Sequence, residues 1–137
     1  MVDKLKRFLE LTPINWLLGG EPFVKYRTLI DLLGREREDK EVVVTWLLSL
    51  LAEQIGLMPH PRFLTGFTKN DPRIGAMIDL LISKQNKNGR FYAESIHKVW
   101  SDFDFGQKEL PSRWITLIVY LIVKRVAENV SRYPDSK

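Results

Sequence analysis

A period of three and four residues, broken at intervals by glycine and proline, constrains this chain more than any other feature. Phe23, Tyr26, Ile30 and Leu33 recur with the spacing that places side chains on one face of an α-helix. Leu5, Phe8, Leu9 and Leu11 make a shorter stripe before them, and Ile74, Met77, Ile78 and Leu81 a later one. The punctuation agrees with these stripes. Thr12-Pro13 reads as N-cap and first position of a helix over residues 14–18, which Gly19-Gly20 closes by adopting the left-handed conformation. Glu21-Pro22 opens the next helix and Gly34 ends it. Asp39 is the expected cap of a helix from Lys40 to about Gln54. Asn70-Asp71-Pro72 opens another that runs to about Gln85, followed by the turn Asn86-Lys87-Asn88-Gly89, where Asn-Gly favours positive φ. Pro111-Ser112 starts a last helix from Arg113 to about Val130.

Two of these helices are apolar on almost every side. Val42, Val43, Val44, Trp46, Leu47, Leu48, Leu50 and Leu51 surround the segment 40–54, and residues 113–126 repeat the pattern. The β-branched start of the first admits a strand, but its length argues for a helix. Helices of this kind need cover, from neighbours or from a second subunit. Residues 56–70 form the one long connection, with Phe63, Leu64 and Phe67 as anchors of an ordered crossover. Residues 95–109 are loop-like, held by Trp100, Phe103 and Phe105. Residues 131–137 read as a frayed tail. The expectation is therefore a single all-α domain over residues 1–137 with about five to six helices. Its parts are N-terminal helices over 1–55, a crossover over 56–70 and a helix-turn-helix unit over 71–130.

Composition narrows the function classes. The absence of cysteine excludes a disulfide framework, a thiolate nucleophile and any Cys-ligated zinc or iron–sulfur site. Twenty-one basic and 17 acidic residues leave a net charge of +4, spread evenly along the chain rather than gathered into a stripe. Lys84, Lys87, Arg90 and Lys98 stand near Phe91, Tyr92 and Trp100, but Glu94, Asp102 and Asp104 dilute their field. Nucleic-acid binding is accordingly disfavoured, and weak binding of this kind stands only as a second alternative function. His60 and His97 have no metal-ligand spacing, and no phosphate loop, dinucleotide fingerprint or nucleophile elbow is present. No metal and no cofactor is expected. The longest apolar run, residues 114–123, is about half a membrane span and ends at Lys124-Arg125, so no span is expected. The N-terminus has no secretion-type apolar core, which makes the cytoplasm the expected location.

The stretch Ile78-Asp79-Leu80-Leu81-Ile82-Ser83-Lys84-Gln85-Asn86-Lys87-Asn88-Gly89-Arg90-Phe91 resembles the repeat of the squalene-cyclase and prenyltransferase superfamily. There a helix ends in a glutamine, a polar turn carries a glycine and an aromatic follows. Ser112-Arg113-Trp114-Ile115-Thr116-Leu117 is similar to the start of that repeat's next helix. Asn15-Trp16-Leu17-Leu18 and Pro22-Phe23-Val24-Lys25-Tyr26-Arg27-Thr28-Leu29 resemble the N-terminal part of uncharacterised bacterial and archaeal members. The resemblance covers somewhat less than half of the chain. It implies antiparallel helix pairs forming an arc or a partial α/α toroid, with Gln85 bonding the end of a neighbouring helix and Phe91 plugged between helices. At about 40 to 47 residues per helical repeat, 137 residues hold about three pairs. That is half a ring at most, with no complete central chamber.

The superfamily's chemistry transfers poorly. Its protein prenyltransferases use a cysteine ligand to zinc, which is missing. Its acid-initiated cyclases use an Asp-x-Asp-Asp motif, of which only Asp102 and Asp104 have counterparts, with Phe105 in the last place. These two aspartates are the candidate acids in a chain for which no catalysis is expected. The preferred expectation is a helical-repeat binding or scaffold protein that self-associates as a dimer. The alternative is a binder or processor of an isoprenoid-like apolar molecule, in a pocket lined by Phe91, Tyr92, Trp100 and Trp114. The default place for each of the four tryptophans, Trp16, Trp46, Trp100 and Trp114, is the core, with Trp100 best placed to line a pocket.

Overall fold

The structure is a computed structural model that describes the backbone of residues 1–54, 73–94 and 105–132, and side chains within 1–47, 75–94 and 105–128. Among the described residues there are six α-helices and no strand: α1 (Val2–Glu10), α2 (Ile14–Leu18), α3 (Pro22–Arg27), α4 (Lys40–Gln54), α5 (Arg73–Lys84) and α6 (Arg113–Arg132). The fold is all-α, as the periodicity predicts. The 56–70 connection, the Asn70-Asp71-Pro72 start, the 95–104 part of the later loop and residues 133–137 lie outside the described residues.

α6 organises the core because its two apolar faces meet two different sets of partners. Trp114, Leu117 and Leu121, at i, i+3 and i+7, pack with Leu17 of α2 and Phe23 and Val24 of α3. Val119, Tyr120, Val123 and Val126 pack with Leu5 and Phe8 of α1, Ile78 of α5 and Phe91. Its all-round apolar character is thus covered within the chain and calls for no second subunit. Its remaining side turns Arg125 and Glu128 to solvent. Each fully buried leucine or valine in these clusters contributes about 1.5–3 kcal/mol.

α3 continues into a π-helical turn over Thr28–Leu32, in which the Leu33 N–H reaches the Thr28 carbonyl at 3.0 Å. The inserted residue rotates the chain. Thr28 and Leu29 become buried while Leu33 is exposed, so the inward face departs from the Phe23, Tyr26, Ile30, Leu33 stripe. The Thr28 hydroxyl donates to the Val24 carbonyl at 2.8 Å, which satisfies it in the interior. The Lys124 ammonium of α6 donates to the Asp31 and Leu32 carbonyls, where a cation complements the negative end of a helix. Gly34 then closes the element at φ +64, as its position predicts.

Two helix-end readings change in the structure. Thr12 does not cap α2, because its hydroxyl donates to the nearer Leu9 carbonyl at the end of α1. Gly19 ends α2 at φ −81, not in the left-handed region. Glycine is needed next door for space: a Cβ on Gly20 would stand 2.6 Å from Cδ of Arg113 and 3.1 Å from the Leu17 carbonyl oxygen. Asp39 does cap α4. Its carboxylate accepts from the Glu41 N–H at 2.9 Å and from Arg35 at 2.5 Å. The bond from Arg35 holds this carboxyl below the usual aspartate value. The stability it contributes is present above the unfolded-state value and is lost as pH falls through the lower folded one.

Candidate functional site

Three places gather side chains with chemical potential. The first is the turn after α5. Asn86 organises it, its side-chain oxygen accepting from the Asn88 and Arg90 N–H groups, both at 2.9 Å. Gly89 sits at φ +72 with its backbone against Leu11. Gln85 donates to the Tyr120 hydroxyl at 2.8 Å, and that hydroxyl donates to the Gly89 carbonyl at 2.8 Å. The glutamine therefore reaches a side chain inside α6 instead of the helix end. Phe91 is buried against Tyr120 and Phe8, with ring centres 6.2 and 6.1 Å away. Its N–H donates to the Thr116 hydroxyl, and its carbonyl accepts from the Ser112 N–H at 2.8 Å. Glutamine, glycine and aromatic act together as a stability device that ties α5 to α6.

Burial pushes the Tyr120 phenol up to about 12, against the partial opposing effect of the bond from Gln85. The folded state thus holds this proton more tightly than the unfolded one does. The corresponding stability is complete below pH about 10 and is lost as pH rises towards 12. A spectrophotometric tyrosine titration should show one phenol ionising late, together with alkaline unfolding, and Tyr120→Phe should remove that late step. A titration of the folded protein with no late phenol step would contradict the assignment.

The second place is the α3–α4 contact. Among the described side chains of α4, Val42 and Thr45 are the buried ones, and the helix packs against α3. Val44 is 55% exposed, Leu47 54%, Trp46 44% and Val43 37%. Beside them lies a half-open cleft of about 250 Å³ lined by Tyr26, Arg37, Val42, Val43 and Trp46. The Lys25–Glu41 ion pair at 2.8 Å links the two helices. Trp46 is thus not a core residue among the described contacts. Its all-round apolar helix was the signal for such a face, but the pattern gave no indication of which side would stay open.

The third place surrounds Trp16. The Arg90 guanidinium carbon stands 4.4 Å from the indole centre and that of Arg113 4.9 Å from the centre of the same ring system. The Arg113 Nε–H donates to the Trp16 carbonyl at 2.9 Å.

The residues predicted to line one apolar pocket are dispersed. Phe91 belongs to the Phe8–Tyr120 cluster, while Trp114 belongs to the other one, edge-on to Phe23 at 5.4 Å. Tyr92 is 44% exposed and forms an isolated antiparallel bridge with Pro111. Trp100, Asp102 and Asp104 lie outside the described residues. Phe105 is half-buried against the Trp114 cluster. An open groove of about 470 Å³ between α1 and α5 is lined by both charged and apolar groups, among them Asp3, Lys4, Arg7, Phe8 and Ile82. Among the described residues no three metal-ligating side chains converge, and no helix is long and apolar enough to cross a membrane. No protein-family model, curated protein or solved structure matches the chain.

Proposed function

We propose that this chain is a helical binding or scaffold protein, without catalysis of its own, that associates with a second copy through α4. The observation that carries the reading is the outward row Val43, Val44, Trp46 and Leu47 on a helix whose buried side chains, among the described residues, are Val42 and Thr45. An aromatic anchor flanked by aliphatic side chains is the usual core of an interface. A two-fold axis beside the helix would bury the same patch from both copies, the commonest way soluble chains assemble. The Gln85–Gly89–Phe91 turn supports the reading of the chain as helical repeats of the toroid-forming kind, in which two copies would extend a partial arc. A cytoplasmic homodimer is the form this function takes.

Light scattering on the purified chain at micromolar concentration is expected to give twice the monomer mass. Trp46→Glu combined with Leu47→Glu should reduce it to the monomer with the helical circular dichroism unchanged. A monomer for the parent chain at that concentration would remove the proposal.

The cleft beside Trp46 supports a second reading, an apolar small molecule with an acidic head seated between Tyr26 and Trp46 and facing Arg37. An anionic naphthalene dye should then gain fluorescence with the parent chain and lose that gain in Arg37→Glu. A dye signal unaffected by that substitution would count against it.

A further inference from the structure

We propose that Arg90 and Arg113, held around Trp16, form a binding site for a phosphate-class oxyanion, either free or as the terminal group of a larger ligand. The local register brings the two arginines together. Tyr92 pairs with Pro111 in an antiparallel bridge, and the Ser112 N–H donates to the Phe91 carbonyl. Next to this bridge, Arg90 and Arg113 both meet the indole of Trp16. Two cations gathered on one ring repel each other.

The surroundings add to that repulsion. Arg113 is the first residue of α6, so both cations lie near the positive end of a 20-residue helix dipole. Half-buried bases elsewhere are paired: Lys25 with Glu41, Arg27 with Asp31 at 2.7 Å, and Lys124 with Glu128 at 3.9 Å. Among the described residues neither Arg90 nor Arg113 has a carboxylate. The Arg90 Nε–H is shut off from solvent and has no hydrogen-bond partner among the described residues, a costly state for a cationic donor.

The pair is nevertheless held in place. The indole of Trp16 lies against both guanidinium groups, and its carbonyl anchors the Nε of Arg113. Gly20 leaves room for the Arg113 side chain where a Cβ would collide with it. Side chains fixed in this way lose little further freedom when a ligand arrives. The chemistry selects the ligand class. One guanidinium fork saturates a planar carboxylate, whereas a tetrahedral dianion has oxygens for two forks and a charge that matches two cations. Lys87, exposed on the neighbouring turn, is not part of the cluster and serves as a control.

The test is a titration of the full chain with inorganic phosphate at constant ionic strength, followed by the NMR signals of the arginine Nε–H groups and the Trp16 indole N–H. Saturable shifts at Arg90, Arg113 and Trp16 are expected, with binding weakened about tenfold or more in Arg90→Gln and in Arg113→Gln. Lys87→Gln should bind like the parent. Arg90→Lys keeps the charge without the fork, and it should bind more weakly than the parent while remaining folded. Phenyl phosphate binding more tightly than inorganic phosphate would identify the site's partner as a phosphoryl group on a larger molecule, and equal affinity would identify free phosphate. Shifts that grow linearly, that chloride or acetate reproduces, or that persist unchanged in folded Arg90→Gln, Arg90→Lys and Arg113→Gln would overturn the proposal.

Discussion

Replacing Gly89 with alanine should lower the unfolding free energy by about 4 kcal/mol, the largest effect expected among the described glycines. Two costs combine. Gly89 has φ +72, a region in which a Cβ is crowded by the backbone. The added carbon would also stand 2.1 Å from the Leu11 carbonyl oxygen and 2.7 Å from the Tyr120 hydroxyl. The first neighbour is backbone and cannot rotate away. Relief would require the turn to leave α1 or the hydroxyl to give up the Gly89 carbonyl. Gly34 supplies the control, since it has nearly the same backbone conformation, φ +64, with nothing within 4 Å of the place its methyl group would take. Gly34→Ala should cost only about 1 kcal/mol, the conformational part alone. Urea unfolding of the two variants separates the contributions. Equal losses would mean that the contact of the turn with Leu11 is not formed in solution.

Tyr120→Phe should cost about 2 kcal/mol although it removes one oxygen atom. Tyr120 has no exposed surface, and its hydroxyl is the shared partner of the Gln85 amide and the Gly89 carbonyl. Phenylalanine keeps the ring contacts with Phe8, at 5.2 Å, and Phe91, so the loss reports the polar connection. The half-buried Gln85 amide can turn to water, whereas the buried Gly89 carbonyl is left without its donor. Gln85→Ala in the Tyr120→Phe background should therefore add less than it costs alone, a coupling of about 0.5–1 kcal/mol. Strict additivity in thermal or urea unfolding would show that the two groups do not act through one bond network.

The helices were legible because their signals are local. Asp39 ahead of a long apolar segment marks the start of α4, and Ser112 marks that of α6. Gly89 occupies the positive-φ position expected of it, and Gly34 closes its element as expected. Other local readings failed where a distant group intervened. The stripe Phe23, Tyr26, Ile30, Leu33 assumes a regular helix, and the π-turn that breaks it places the Asp31 and Leu32 carbonyls on Lys124, a residue of another helix. Burial there also pushes the Asp31 carboxyl above its ordinary value, against the pull of Arg27. Gly20 looks like a helix terminator in the sequence, but the side chain that requires it belongs to Arg113.

The candidate sites were less legible than the fold. The aromatic residues Phe91 and Trp114 could be identified as apolar anchors, but which cluster each joins depends on the two faces of α6. The Arg90–Arg113 pair gives no sequence signal at all, since its members are 23 positions apart and both meet a tryptophan from the N-terminal part of the chain.

By itself, the sequence determined the all-α class, the order of the helices and the chemistry of the turn at Gly89. Periodicity, caps and glycine conformations depend on neighbours a few residues away. Only the tertiary structure decided that α6, apolar on most sides, is covered by the chain's own helices, while the equally apolar α4 turns Val43, Val44, Trp46 and Leu47 outward. The physical reason is that burial is a property of what else comes near. Two helices with the same pattern differ once α1, α2, α3 and α5 have packed around one and only α3 against the other among the described contacts.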